Sequence, residues 1–306
     1  AFKQLLVVDK ENGGKADALN VGLNISKREL VACIDVDCII EPDALLKMVK
    51  PFLEDSSEVI ASGGVVRIAN SCVVEDGRLI EVRLPEKFIA RVQVLEYLRA
   101  FLLGRMAWSK LNGLLLISGA FGLFKRNIAI EAGGYNHKTV GEDMELVVRM
   151  RVYMAEQKRK YKVVYIPDPL CWTEAPSSYQ ILGRQRNRWA RGTFETLKLH
   201  KKLFFNKRYG VMGLLSYPYW FFFEWLAPFV EFFGLLQRYL VPLALFRQDV
   251  RLRPVIADRL SLALAHAQHV DELRPDQQPD EQRGQQRRPG PKRLVADKVE
   301  QPFEIE

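Results

Sequence analysis

The strongest constraint on the fold of this chain is an exchange of patterns along its first 170 or so residues. Short apolar runs at residues 5–8, 29–34, 59–68, 114–124 and 163–166 alternate with stretches whose apolar residues recur at helical spacing. A run of Val, Ile and Leu with no polar alternation has no face to give to water, so it belongs to a strand covered on both sides. Strand, helix and strand in succession then predict an α/β fold with a mostly parallel sheet. Residues 5–8 lead through Asn12, Gly13 and Gly14 into a helix carrying Ala16, Leu19 and Leu23. The second run ends in Asp35-Val36-Asp37, and Pro42 with Asp43 opens a helix to Phe52. Residues 71–82, with Glu75-Asp76-Gly77 in the middle, read as a hairpin. Glu142 and Asp143 open a helix to about Lys158, and the strand at 163–166 is closed by Pro167. Ser177 or Ser178 caps a helix on which Gln185, Arg188 and Trp189 share a face.

A second pattern begins at residue 211. Residues 211–236 are the most hydrophobic stretch, and at ~1.5 Å rise per residue a helix of that length exceeds the ~30 Å hydrocarbon layer. Glu224 and Glu231 would each need a partner there, and Pro218 and Pro228 each break a hydrogen-bond ladder. A transmembrane or re-entrant segment is expected, with the basic flank Lys198, Lys201, Lys202, Lys207 and Arg208 on its cytoplasmic side. Residues 88–112 also read as helical, and both a core helix with a solvated basic face and a helix lying on a membrane surface fit them. From Arg247 onward Arg, Gln, Asp and Pro dominate, and such a segment buries too little to fold alone. The expected divisions are residues 1–205, 206–246 and 247–306.

Composition narrows the classes further. A chain that is 48% hydrophobic and 27% charged is neither wholly disordered nor a bundle of membrane spans. The formal charge of +8 sits in the first 246 residues, but no aromatic-interleaved basic run or zinc-finger spacing accompanies it, so nucleic acid is not an expected partner. Cys33, Cys38, Cys72 and Cys171 show neither C-x-x-C spacing nor a histidine partner, which argues against a zinc site or a disulfide framework.

Asp35 and Asp37 follow a buried strand and therefore emerge at the carboxyl end of the sheet, where α/β folds bind ligands. Two carboxylates one residue apart can serve a hard divalent cation that neutralises a diphosphate, and they can equally be a solvated loop. Asn12-Gly13-Gly14-Lys15 sets a lysine at a helix N-terminus, an anion-favouring arrangement without P-loop spacing. Glu142 and Asp143 alone could be acidic residues placed near a helix dipole.

In their order along residues 5–236 these features resemble the membrane-bound members of glycosyltransferase family 2, the group of cellulose, hyaluronan, chitin and poly-N-acetylglucosamine synthases. Residues 12–20, Asn-Gly-Gly-Lys-Ala-Asp-Ala-Leu-Asn, are similar to the family's G-K-A-x-A-L-N segment. Asp35-Val36-Asp37 matches D-x-D, Gly141-Glu142-Asp143 matches [TG]-E-D, and Gln185-Arg186-Asn187-Arg188-Trp189 matches Q-x-x-R-W. The resemblance implies a Rossmann-like GT-A catalytic domain followed by interfacial or transmembrane helices. It implies that Lys15, Asp35, Gln185 and Arg188 meet the donor and its diphosphate, and that Asp37 binds Mg²⁺ or Mn²⁺. Asp143 would be the general base for inverting attack by an acceptor hydroxyl, with Gly119, Ala120, Phe121, Glu142 and Trp189 around the acceptor. The implied partners are a UDP-sugar, a growing saccharide or a lipid acceptor, and the cytoplasmic face of the cell's inner membrane. Single-sugar transfer to a lipid, and a non-catalytic scaffold with a degenerate transferase domain, are the alternatives. The family's upstream acidic motif would precede Ala1 and its further apolar helices would follow Arg247. The chain is therefore expected to be a fragment with a disordered or out-of-frame tail, transferring little sugar alone.

Overall fold

The computed structural model describes residues 5–55 and 58–246. Two compact units divide the chain, Ala1–Leu236 and Gln237–Glu306. The described part of the second is the end of one helix, and the tail expected at 247–306 lies outside the described residues.

In chain order the elements are α1 (Lys15–Ile25), β1 (Leu30–Ile34), β2 (Ile39–Ile40), α2 (Ala44–Glu54), β3 (Val59–Ile68), the hairpin β4 (Val73–Glu75) and β5 (Arg78–Glu81), and α3 (Phe88–Tyr97). A π-helical turn, Leu98–Gly104, joins α3 to α4 (Arg105–Lys110), and β6 (Phe121–Lys125), α5 (Arg126–Glu131), α6 (Glu142–Glu156), β7 (Lys162–Thr173) and α7 (Tyr179–Leu199) follow. Last come α8 (Tyr217–Tyr219), set between π-helical turns Met212–Ser216 and Trp220–Trp225, and α9 (Ala227–Phe246). The hairpin turns where expected: Asp76 and Gly77 both take positive φ, 48° and 72°, as a two-residue turn matching the strand twist requires.

The α/β class holds, and the main sheet has the order β1-β6-β3-β7-β2. It is mixed rather than mostly parallel: β3 and β7 run parallel, while β1 with β6, β3 with β6 and β2 with β7 pair antiparallel. The cause is where the chain enters β6. Its first residue, Phe121, pairs with Ile34, the last of β1, so β6 starts at the end of the sheet where β1 stops. This reversal sets the segment before β6 beside the segment after β1, which is where the candidate site lies.

Other expectations shift for identifiable reasons. Residues 5–8 are exposed coil, with Leu5 86% exposed, because among the described residues no strand offers them a ladder. The strand expected at 114–124 begins only at Phe121. Leu114, Leu115 and Ile117 are buried all the same, but their stretch is held by side chains: Arg151 donates to the carbonyls of Leu114 (2.6 Å) and Asn112, and Asp143 takes the Gly119 N–H. Strand β7 does not stop at Pro167. Its pairing with β3 shifts register on both sides of Val65, and a bulge there absorbs prolines that have no N–H to give.

Helix α6 crosses the core, with Leu146, Val147 and Met150 fully buried against the sheet cluster and Met144, Val148 and Val152 in a second cluster with Leu197, Tyr209 and Met212. The apolar block after residue 211 is not one helix. Met212–Trp225 and Ala227–Arg238 meet at a 43° bend, and among the described residues no single helix is long and apolar enough to cross a membrane, although this bent pair passes by length and composition. The bend falls just before Pro228, whose missing N–H interrupts the ladder.

Candidate active site

The first turn of α1, the turn after β1, the turn before β6 and the first turn of α6 converge at one end of the sheet. Lys15 Nζ lies 2.5 Å from Asp35 Oδ1 and 3.7 Å from Glu142 Oε1. Asp35 is itself placed by backbone, its N–H donating to the Ala120 carbonyl at 3.0 Å. Asp143 is held twice, with Oδ2 accepting the Gly119 N–H at 2.9 Å and Oδ1 the Met144 N–H at 2.8 Å. Lys15, Gly119, Glu142 and Asp143 line a cleft whose floor is Leu19, Cys33, Phe124 and Tyr135.

Electrostatically one cation, Lys15, stands against three carboxylates, Glu142 and Asp143 in the cleft and Asp35 beside it. Burial works against the Lys15 ammonium, but contact with Asp35 and the fields of Glu142 and Asp143 outweigh it and hold its pKa above the ordinary lysine value. Burial pushes the Glu142 carboxyl up, and Asp143 adds to the effect; its own backbone N–H and the charges of Lys15 and Arg188 pull the other way. Arg188 therefore acts on Glu142 at a distance.

Helix α7 brings the remaining candidates. Ser178 caps it, accepting the Ile181 N–H at 3.4 Å. Trp189 keeps 37% of its surface exposed, and the Arg186 guanidinium stands 4.6 Å from its ring centroid while bound to Glu96 Oε2 at 2.5 Å. Gln185 Oε1 is buried and, among the described residues, has no hydrogen-bond partner. The backbones of Gly141 and Gly192 touch: a Cβ on either would lie 2.8 Å from the other's Cα.

The structure thus brings together Lys15, Asp35, Gly119, Glu142 and Asp143, with Ala120 contributing its carbonyl. Asp37 sits past the cleft in an exposed turn, its Oδ1 3.7 Å from Cys38 Sγ, and Gln185, Arg188 and Trp189 do not line the cleft itself. Phe121 was expected near the acceptor entrance. It is a core residue instead, because as the first residue of β6 it pairs with Ile34 and packs in the main cluster.

Other contributors escape sequence reading. Asn20 grips the backbone of Tyr135 in both directions, at 2.8 and 2.6 Å, so the asparagine of the G-K-A-x-A-L-N segment fixes the cleft floor. Glu145, two residues along α6 from Asp143, is buried and paired with Arg149 at 2.6 Å and with His200 Nε2 at 3.0 Å. Glu195 accepts the Val140 N–H at 2.9 Å. Only Asn20, inside a motif, carried a signal in the sequence.

Comparison with known proteins identifies relatives of the chain. The chain is 31% identical over 190 residues to the poly-beta-1,6-N-acetyl-D-glucosamine synthase of Staphylococcus aureus, a match covering 61% of this chain and 40% of that protein. It is 29% identical over 191 residues to the synthase of the same name from Staphylococcus epidermidis, covering 62% and 41%. The chain thus spans about two fifths of the length of these curated relatives. Among solved structures, a mannosyltransferase from Pyrobaculum calidifontis in complex with GDP-Man and Mn²⁺ matches with a TM-score of 0.52 and 21% identity, over 85% of this chain and 62% of that one. That likeness is one of fold, and it agrees with the GT-A architecture. The family model described as glycosyltransferase like family 2 matches residues 3–192, which span every motif around the cleft from Lys15 to Trp189, and the chain belongs to that family.

Proposed function

We propose that this chain carries the catalytic domain of an enzyme that transfers sugar from a UDP-sugar to a growing cell-surface polysaccharide, with inversion, at the cytoplasmic face of the cell membrane. The observation that carries it is that Lys15 and Asp143 line one cleft, with Asp35 ion-paired to Lys15 beside it, within a family 2 chain. Asp143 is the general base. Its carboxylate is fixed by the Gly119 and Met144 N–H groups, so it faces an acceptor hydroxyl without reorganising, and proton transfer concerted with attack relieves the need for a strong base. Lys15 and Arg188 meet the donor's diphosphate, and the half-exposed face of Trp189 is a platform for the acceptor pyranose.

Asp35 and Asp37 fit a divalent cation by the chemistry of their donors, hard carboxylate oxygens on a turn that is partly open to solvent. Among the described residues no cluster of three or more His, Cys, Asp or Glu could hold a metal, so these two carboxylates would share it with the donor's phosphates. Bound there, Mg²⁺ or Mn²⁺ would neutralise charge on the departing nucleoside diphosphate.

Membrane placement is supported by the bent apolar pair after residue 211 and by the outward-facing Phe88, Val92 and Leu95 of α3. The deciding experiment is a nucleotide-sugar screen on membranes carrying the full chain within its parent protein, scored by nucleoside diphosphate release and product digestion. A ladder of products supports polymer extension, a single added sugar moves the assignment to a lipid acceptor, and nucleotide binding without turnover makes the domain a scaffold.

A further inference from the structure

We infer that Gly192 and Glu195, both outside the Q-x-x-R-W motif, are positioning residues that lock the first turn of α6, and with it Asp143, against the helix that carries Trp189. The inference rests on the glycosyl-transfer role proposed above.

The contact has two parts. At Gly192 a Cβ would stand 2.8 Å from Gly141 Cα and 2.9 Å from Gly141 N, and at Gly141 a Cβ would stand 2.8 Å from Gly192 Cα and 2.9 Å from Gly192 O. All of these are backbone atoms, so no rotamer change relieves the clash and the two elements must separate. One turn further along α7, Glu195 accepts the Val140 N–H at 2.9 Å, while Arg191 stands 3.2 Å from the same carboxylate. Thr139 Oγ1 takes the Gly141 N–H at 3.1 Å and the Gly141 carbonyl accepts the Glu145 N–H at 3.0 Å, so the loop held by α7 continues without slack into the turn bearing Asp143.

The consequence for chemistry is a distance. Trp189 and Gly192 are three residues apart on one helix, about 4.5 Å along its axis at ~1.5 Å per residue. Whatever Trp189 holds is therefore referenced to Asp143 through the Gly192–Gly141 contact. Misplacement of a reacting group by about 1 Å can cost ~10²-fold in rate.

The test uses the full chain within its parent protein, in membranes, with the donor that the wild type turns over. Gly192→Ala and Glu195→Ala should lower transfer kcat ~10- to 10²-fold while donor KM stays within about two-fold, and a larger share of nucleotide release should end as free sugar, because donor activation survives while acceptor alignment does not. Glu195→Gln, whose amide oxygen still accepts the Val140 N–H, should keep wild-type coupling. An unchanged ratio of transfer to hydrolysis in Gly192→Ala, or Glu195→Gln behaving as Glu195→Ala, overturns the positioning role. Amide exchange at Val140 tests the clamp without activity: slow in wild type and Glu195→Gln and fast in Glu195→Ala supports it, and fast exchange in wild type overturns it. A wild type inactive on every donor would instead sink the transferase role, leaving the Val140 exchange to decide the clamp.

Discussion

Helix α6 and the bent run from Met212 to Arg238 are both rich in apolar residues, and the structure treats them oppositely. In α6 the apolar side chains are buried within the domain, and even its charges are answered there: Glu145 by Arg149 and His200, Arg151 by the carbonyls of Leu114 and Asn112. In the bent run the half up to Trp225 is answered in part, with Trp220, Phe221 and Trp225 packed on the second core cluster and Trp225 stacked on Phe194. Met212 and Tyr217 pack on the second core cluster, while Phe223, Phe229, Val230, Phe232 and Phe233 face outward. Apolar side chains are thus spent inside the domain in the charge-rich α6 and left for another phase or partner in the far half of the more hydrophobic bent run.

The largest expected effect lies at the first turn of α6. Asp143→Asn keeps the shape and, through its one amide oxygen, one of the two backbone contacts, with the Gly119 or the Met144 N–H, but removes basicity, so turnover should fall by ~10²- to 10⁴-fold with donor affinity little changed. Steady-state nucleotide release at varied donor concentration checks it. Wild-type turnover would remove Asp143 from the role of base.

Next comes the buried charge of Glu145 in the same helix. Burial opposes the Glu145 carboxylate, but hydrogen bonds from His200 and Arg149 outweigh burial and hold its pKa below the ordinary 4.5. A depressed carboxyl stabilises the fold fully above that ordinary value and progressively less as pH falls through the lowered one. Glu145→Ala, which takes the carboxylate from His200 and Arg149 while Arg149 keeps the Ala132 and Gly134 carbonyls, should cost about 1–3 kcal/mol, and Glu145→Gln should flatten the loss of thermal stability below about pH 4.5. Melting curves across pH 3–7 measure both. An acid limb as steep in Glu145→Gln as in wild type would show that other carboxylates carry it.

A smaller effect belongs to the partly exposed pair that joins α3 to α7. Glu96→Ala frees Arg186 from its 2.5 Å contact and so loosens the guanidinium over Trp189, yet a pair this exposed is worth only about 0–1 kcal/mol of stability. Acceptor KM should rise several-fold with the melting temperature nearly unchanged. An unchanged acceptor KM would leave Trp189 without need of the pair.

How much was legible follows the same division between local and distant causes. Residues 59–68 and the turn at Asp76-Gly77 are encoded locally, by an unbroken apolar run and by residues tolerant of positive φ, and both form as expected. Residues 5–8 have the same apolar text, but a strand exists only with a neighbour, which its own residues cannot specify. The length of β7 depended on a bulge opposite Val65, about 100 residues away, and the antiparallel course of β6 on the point where the chain re-enters the sheet. Asp35 and Asp143 were visible because family motifs keep order and type. The Val140–Glu195 and Glu145–His200 contacts join residues 55 apart with no local signature, so only the packing of α6 on α7 reveals them.

The smallest effect on the fold, and the sharpest test of the comparison, concerns α9. Phe232 and Phe233 are 60% and 61% exposed, and their rings pack mainly on each other, with centroids 5.6 Å apart. Replacing both by serine removes little buried surface from the domain, so unfolding of the domain should stay within about 0.5 kcal/mol of wild type. The same two rings represent about 1.5–3 kcal/mol each if a lipid or apolar partner covers them. Retention on membranes after alkaline carbonate washing should therefore fall sharply in Phe232→Ser/Phe233→Ser, whereas Leu146→Ser in α6 should unfold the domain. A drop of more than about 1 kcal/mol in domain stability with unchanged membrane retention would reverse the assignment. It would make α9 a helix answered by its own chain, as α6 is.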